Sequence, residues 1–161
     1  MLPDLLKPNL KVVFCGTAAG NRSATLQQYY AGQGNKFWCT LFDVGLTEER
    51  LSPNQYEKLL EYNIGLTDLV KNKSGMDSTL VHSDFGSELL LNKIKEFKPK
   101  ILCFNGKRAA EEFLLKNVQY GRQSEIIENT KLYIVPSTSS AASGFWDIRY
   151  WERLAQLCKE S

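Results

Sequence analysis

The sequence predicts an α/β architecture, a mostly parallel sheet with helices on both faces, from three observations. Three short apolar runs, Val12 to Cys15, Ile101 to Phe104 and Lys131 to Val135, have the length and composition of strands buried on both faces. Stretches of helical periodicity separate them, as in βα units. Each run also stops at a small or polar turn: Gly16 to Gly20, Asn105-Gly106, and Ser137 to Ser140. In a parallel sheet these turns share the carboxyl edge, where the ligands of open α/β sheets sit.

The first strand and its turn read K-V-V-F-C-G-T-A-A-G over Lys11 to Gly20. The turn carries almost no side-chain volume, which suits either a ligand lying close to the backbone or a tight strand-to-helix connection. It is not G-x-G-x-x-G and lacks the Gly-Lys-Ser/Thr ending of a P-loop, so a nucleotide cofactor is not supported. Before it, Pro3 to Asn9 is a short lead-in, extended by Pro8. After it come a small, polar segment to Gln28, the pair Tyr29-Tyr30, and a loop from Ala31 to Asn35 with two glycines.

Phe37, Trp38, Leu41, Phe42 and Leu46 recur at helical spacing and predict a helix with an aromatic inner face. Thr47, followed by Glu48 and Glu49, reads as a helix N-cap. Ser52-Pro53 starts another helix, with Tyr56, Leu59 and Leu60 inward. Ile64 to Val70 is a compact apolar stretch holding one carboxylate, Asp68, and Lys71 to Ser78 is a loop. A helix is expected over Ser83 to Phe97, with Leu89, Leu90, Ile94 and Phe97 inward and Pro99 stopping it. Lys107 to Lys116 is the next helix, Asn117 to Gln123 a turn region, and a last helix closes the chain from about Phe145 to Leu157.

Composition bounds the function. A chain of 161 residues fits a single domain, 1–161, able to bury roughly two-thirds of its unfolded surface. A net charge of +2 does not by itself point to an anionic partner, so nucleic-acid binding has to be argued from a site. The four cysteines are scattered without C-x-x-C and His82 is the single histidine, which argues against zinc or an iron–sulfur cluster. Cys15 and Cys103 read as small core residues. There is no signal-peptide pattern and no apolar run of the ~20 residues a membrane span needs. A cytoplasmic protein without metal or cofactor is the expectation.

Phe14-Cys15-Gly16-Thr17-Ala18-Ala19-Gly20 followed by Asn35-Lys36-Phe37-Trp38 resembles the uracil-DNA glycosylase superfamily, and within it the mismatch-specific uracil/thymine branch. There the first strand ends in F-C-G-I-N-P-G and the following loop in N-R-F-W, with no gap needed between them. Tyr62 to Val70 is similar to that branch's D-Y-x-x-G-V-T-x-L-V, Asn105-Gly106-Lys107 to its L-G-K, and Val135-Pro136-Ser137 to its L-P-N. The resemblance covers nearly the whole chain. It implies a three-layer α/β/α fold around a mostly parallel four-stranded sheet, and a monomer that flips a damaged base out of DNA and hydrolyses its N-glycosidic bond. Two positions depart from the pattern: the water-positioning Asn of the first motif falls on Ala18, and the Asn of the second on Ser137.

Another group must then assist the water. Bond cleavage leaves positive charge on the sugar and negative charge on the base, and a carboxylate near the sugar orients water and stabilises the cation. Asp68 is the leading candidate, being a lone carboxylate in an apolar strip; the resemblance implies that an acid or amide at this position compensates for a weak first motif. Capping a helix or pairing with Lys71 is its structural alternative. Asn105 is the second catalytic candidate, with a turn-forming Asn-Gly as its alternative.

The expected base pocket comprises Gly16, Thr17, Ala18 and Gly20, with the Thr17 and Ala18 N–H groups toward a uracil carbonyl, together with Asn35 and Ser137. Tyr30 matches the family's stacking aromatic, and Tyr29 is the alternative ring. Ser23, Ser139 and Ser140 are candidate DNA contacts. Ala141 and Ala142, collinear with the family's wedge, are too small to fill the gap left by a flipped base; Phe145 or Trp146 is the substitute wedge displaced along the loop, with packing into the core expected for at least one of them. Uracil, particularly opposite guanine, is the first substrate expected and hypoxanthine the second. A module that binds damaged DNA without cleaving it is the alternative outside enzymes.

Overall fold

The computed structural model describes residues 2–71, 75 and 85–160. Apart from Lys71 and Gly75, the loop expected over Lys71 to Ser78 lies outside the described residues, as do Ser83, the expected start of a helix, and His82.

All three apolar runs form strands: β1 (Val12–Gly16), β3 (Ile101–Asn105) and β5 (Thr130–Val135). The carboxylate-bearing stretch supplies β2 (Ile64–Asp68). The sheet has five strands, not the expected four, in the order β2-β1-β3-β5-β4. The additional strand, β4 (Gly121–Ile127), pairs antiparallel with β5 at one edge, and all other pairs are parallel. It starts inside the segment expected to be a turn. Its polar residues alternate between half-buried and exposed because an edge strand has little to bury, so no apolar run announces it.

Alternation along the strands builds two cores. Val12, Phe14, Cys103, Tyr133 and Val135 face α2 (Phe37–Asp43) and α5 (Ile148–Glu160), meeting Phe37, Leu41, Trp151 and Leu154. Val13, Cys15, Leu102, Phe104, Leu132 and Ile134 face α3 (Ser87–Phe97) and α4 (Lys107–Leu114), meeting Leu90, Ile94, Ala109 and Ala110. Each strand residue thus has a layer to enter, which gives the three-layer α/β/α arrangement.

Several local expectations are corrected. Helix α2 ends at Asp43, leaving Leu46 beyond it, and Phe42 and Leu89 are exposed rather than inward. Thr47 caps no helix; its hydroxyl donates to the Glu49 carbonyl at 2.8 Å in a bend. Ser52-Pro53 does open a helix, of the 3₁₀ type, over Pro53–Tyr62. The Ser52 N–H there donates to the Gln55 side chain at 3.0 Å. The lead-in does more than approach β1: Leu5 and Leu66 exchange backbone hydrogen bonds at 2.8 and 2.9 Å, so the N-terminal segment covers the β2 edge of the sheet. Among the described residues no helix is long and apolar enough to cross a membrane.

Candidate active site

Parallel register brings the strand ends together. Gly16 at the end of β1 pairs with Asp68 at the end of β2, and Asn105 at the end of β3 pairs with Val135, just before the Pro136 turn. The turn after β1 is stitched to the segment after β2: Leu69 N–H donates to Gly16 O at 2.9 Å, Val70 N–H to Thr17 O at 2.6 Å, and Gly75 N–H to Ala19 O at 3.0 Å. Thr17 and Ala18 are half-buried and Gly20 is exposed, so the small-residue turn forms one wall at the carboxyl edge.

Asp68 is buried, with 6% of its surface exposed. Loss of water around the carboxyl raises its pKa from an ordinary 3.8 to about 6, against the pull of the Lys71 ammonium 3.8 Å from Oδ2. A hydrogen-bonded surface acid would shift the other way. Of the two alternatives for Asp68, the ion pair with Lys71 is present; among the described residues no helix starts beside it.

The glycine at position 16 has a steric reason. A Cβ there would lie 3.0 Å from Asp68 Oδ1 and 3.4 Å from the Tyr30 hydroxyl oxygen. Gly16→Ala is therefore expected to leave the fold intact at a cost of about 1–3 kcal/mol. Displacement of the Asp68 carboxyl should lower turnover at least roughly tenfold, the loss that a small misplacement of a catalytic group produces. Single-turnover rates together with urea unfolding of the same variant check both halves.

Tyr29 and Tyr30 part company. Tyr29 is a core plug, 1% exposed, donating its hydroxyl to Pro3 O at 2.9 Å, so it is not the stacking ring. Tyr30 adopts φ 52° and turns back over the site, where its half-buried ring stacks on Phe37 with centroids 4.0 Å apart. Its hydroxyl is buried without a hydrogen bond of good geometry among the described residues. Burial first, and the nearby Asp68 charge second, hold that hydroxyl far above the usual phenol range, while the Asn105 amide acts in the opposite direction. A buried hydroxyl without a partner among the described residues, set beside Gly16 like the Asp68 carboxyl, is a group suited to a polar ligand or water.

Ser23 is a correction. Expected among the DNA contacts, it is 4% exposed, on α1 (Asn21–Leu26), and its Oγ accepts the Ala31 N–H at 2.8 Å. It pins the loop that carries Tyr30. Asn35 is half-buried and its Oδ1 accepts the Phe37 N–H at 3.0 Å, fixing the start of α2 under the Tyr30 ring.

Asn105 is buried and engaged at both ends of its amide. Nδ2 donates to Thr138 Oγ1 at 3.0 Å, and Oδ1 accepts the Thr138 N–H at 3.1 Å. It clamps the turn after β5 to the end of β3. Thr138, fully buried, is the partner sequence reasoning missed; among serines and threonines in a turn, nothing local distinguishes it. Gly106, at φ 106°, lets the backbone pass Ser137, whose Cβ would sit 3.2 Å from an added Cβ. Ser137 is half-buried and its Oγ accepts the Ser139 N–H at 3.2 Å.

Beyond this clamp, Ser139 begins a 3₁₀ helix, Ser140–Phe145, in which Ser140 and Ala141 are exposed. Phe145 projects with 73% of its surface exposed, whereas Trp146 packs inward against Trp151 at 6.0 Å. Lys36 ties the two loops together: its N–H donates to Thr138 O at 2.9 Å, and its ammonium lies 5.6 Å from the Trp146 ring centroid. This places a cation at the Trp146 ring, beside the 3₁₀ helix that carries Phe145.

Comparison with known proteins identifies the family and the fold. The model of the uracil DNA glycosylase superfamily matches residues 3–155. Among solved structures, the chain is similar to a protein of Methanosarcina acetivorans described as a candidate uracil DNA glycosylase and determined by solution NMR. The two share 26% identity at a TM-score of 0.68, over 98% of this chain and 95% of that one. With most of the sequence matched and the fold reproduced, the chain belongs to the uracil DNA glycosylase superfamily.

Proposed function

We propose that the protein is a monofunctional DNA glycosylase that removes a damaged base, with uracil opposite guanine as its first substrate. The observation that carries this reading is the buried Asp68 carboxyl, set against Gly16 and the Tyr30 hydroxyl at the carboxyl edge of the sheet. The flipped base enters between the Thr17–Gly20 turn and Tyr30, whose ring face supplies stacking worth about 1–3 kcal/mol per base. Water attacks C1′ of the sugar and gives its proton to Asp68. The electron pair of the C1′–N bond leaves with the base, which is then protonated, and the product is an abasic site. Backbone N–H groups of Thr17 and Ala18 hydrogen-bond the departing anion. Asn105 acts from behind, holding the Pro136–Ser140 turn through Thr138.

The small side chains of Thr17, Ala18 and Ala19 also leave room for a purine, which makes hypoxanthine the second substrate. The whole chain acts as one domain and as a monomer, in the cytoplasm, on DNA. Ser139, Ser140 and Lys36 contact phosphates, and Phe145 fills the gap in the duplex. Phe145→Ala is expected to weaken binding to an abasic-site duplex by roughly tenfold or more, within the range for one lost aromatic stack. Its melting temperature should stay unchanged, because the side chain is exposed. Fluorescence anisotropy with a labelled duplex measures the first and calorimetry the second.

The deciding experiment is cleavage of labelled oligonucleotides carrying uracil, hypoxanthine or thymine opposite each base. Excision of uracil supports the reading, and excision of hypoxanthine alone moves the substrate to the purine. Binding to damaged DNA with no excision of any base identifies a reader without chemistry and overturns the proposal.

A further inference from the structure

Asp68 does not have Lys71 to itself. The Lys71 ammonium contacts Asp4 Oδ1 at 2.8 Å, and donates to the Leu2 carbonyl at 3.0 Å and the Tyr29 hydroxyl at 3.1 Å. An ammonium has three N–H groups. With three acceptors so close, Asp68 Oδ2 at 3.8 Å receives the charge but no hydrogen bond of normal length. Asp4 is itself firmly held: the Thr67 hydroxyl donates to Oδ1 at 2.6 Å and the Lys93 ammonium meets Oδ2 at 2.6 Å. Burial by itself would raise the Asp4 pKa, yet the hydrogen bonds from Lys71, Lys93 and Thr67 outweigh it and hold the carboxyl below the usual range. Asp4 is thus a fixed anion beside a reactive one.

We propose that Asp4 is a positioning residue for Asp68: by drawing the Lys71 ammonium onto itself, it keeps Asp68 free of a full salt bridge and able to take a proton from water. This rests on the reading of Asp68 as the water-activating group. A carboxylate locked to lysine in a short ion pair is a weaker base, and the charge of the pair is already spent. The geometry avoids this while leaving Lys71 close enough to keep a buried carboxyl ionisable. The other titratable and charged groups facing Asp68 among the described residues are Cys15 of β1, Tyr29 and Tyr30 of the loop after α1, and Lys93 of α3.

The test follows Asp68 by carbon-13 carboxyl NMR in the free protein, alongside the pH dependence of single-turnover base excision. Asp4→Asn should let Lys71 turn to Asp68 and lower both the Asp68 midpoint and the acid limb of the rate profile by about one pH unit. Lys71→Gln should raise both. Opposite displacement by two variants of one ion pair is a result that a merely structural role does not give. Midpoints unmoved by Asp4→Asn, or moved upward, overturn the inference. If Asp4→Asn does not fold, Asp4→Ser takes its place, and failure of both to fold marks Asp4 as structural and also overturns it. Wild-type rates in Asp68→Asn would instead sink the catalytic role of Asp68, an outcome separate from the NMR titration, which still reports whether Asp4 sets its pKa.

Discussion

Replacing Asp68 by asparagine is expected to cut base excision at least about a hundredfold, within the range for a general acid–base group, and at the same time to stabilise the protein above pH 6. Both effects come from the same burial. The folded protein raises the carboxyl pKa from 3.8 to about 6, mainly by stripping away water. Between those values the native state keeps a proton that the unfolded chain releases, so stability falls as pH rises through the window. Above about pH 6 the whole cost of a buried charge is present, on the order of 2–3 kcal/mol. Asparagine has nothing to ionise and escapes it. Urea unfolding at pH 5 and pH 8 should show a smaller loss of stability between the two pH values for Asp68→Asn than for the wild type. A variant that is both slower and less stable at pH 8 would contradict this account.

Trp151→Ala is expected to cost about 3–5 kcal/mol, as truncation of a buried aromatic does, and to abolish activity at 37 °C. Trp151 is fully buried on α5 and stacks on Phe14 of β1 with centroids 5.4 Å apart and planes 19° apart. Its indole N–H donates to the Pro136 carbonyl at 3.1 Å, where the turn carrying Ser137 and Thr138 begins. Removing the ring therefore opens the core and unties the turn that Asn105 holds from the other side. Trp151→Phe separates the two contributions. It keeps a ring against Phe14 but leaves the Pro136 carbonyl unpartnered, for an expected cost of about 1–3 kcal/mol. Denaturant midpoints of the two variants, with excision rates measured where each remains folded, give the comparison.

The two variants act at opposite ends of the same design. Trp151 belongs to the scaffold that holds the strand ends in register, whereas Asp68 is the place where that scaffold carries a cost. A buried, raised-pKa carboxyl is destabilising at neutral pH, and its retention at the carboxyl edge of the sheet is coherent with chemistry rather than packing.

Periodicity and composition were enough to place β1, β3 and β5, the helices α2, α3 and α4, and the edge that carries the candidate site, because each depends on neighbours within a few residues; helix α1 read only as a small polar segment. The G-T-A-A-G turn and Asp68 could be picked out for the same reason, being small or charged exceptions inside local patterns, whereas the N-K-F-W loop stood out only through the family resemblance. Strand β4 could not be found that way, since a polar edge strand exists by virtue of the partner it pairs with. Chain proximity also says nothing about which of two adjacent aromatics is buried. Tyr29 lies in the core while Tyr30 adopts φ 52°, and Phe145 projects outward while Trp146 packs inward. Ser23 faces inward, and Asn105 spends its amide on Thr138. Asp4, in a lead-in that looks featureless, reaches the site because Leu5 pairs with Leu66 across the fold. Local order is written in neighbouring residues, but burial, hydrogen-bond partners and the electrostatics that tune a carboxyl depend on groups far apart in the chain, and only tertiary structure brings those together.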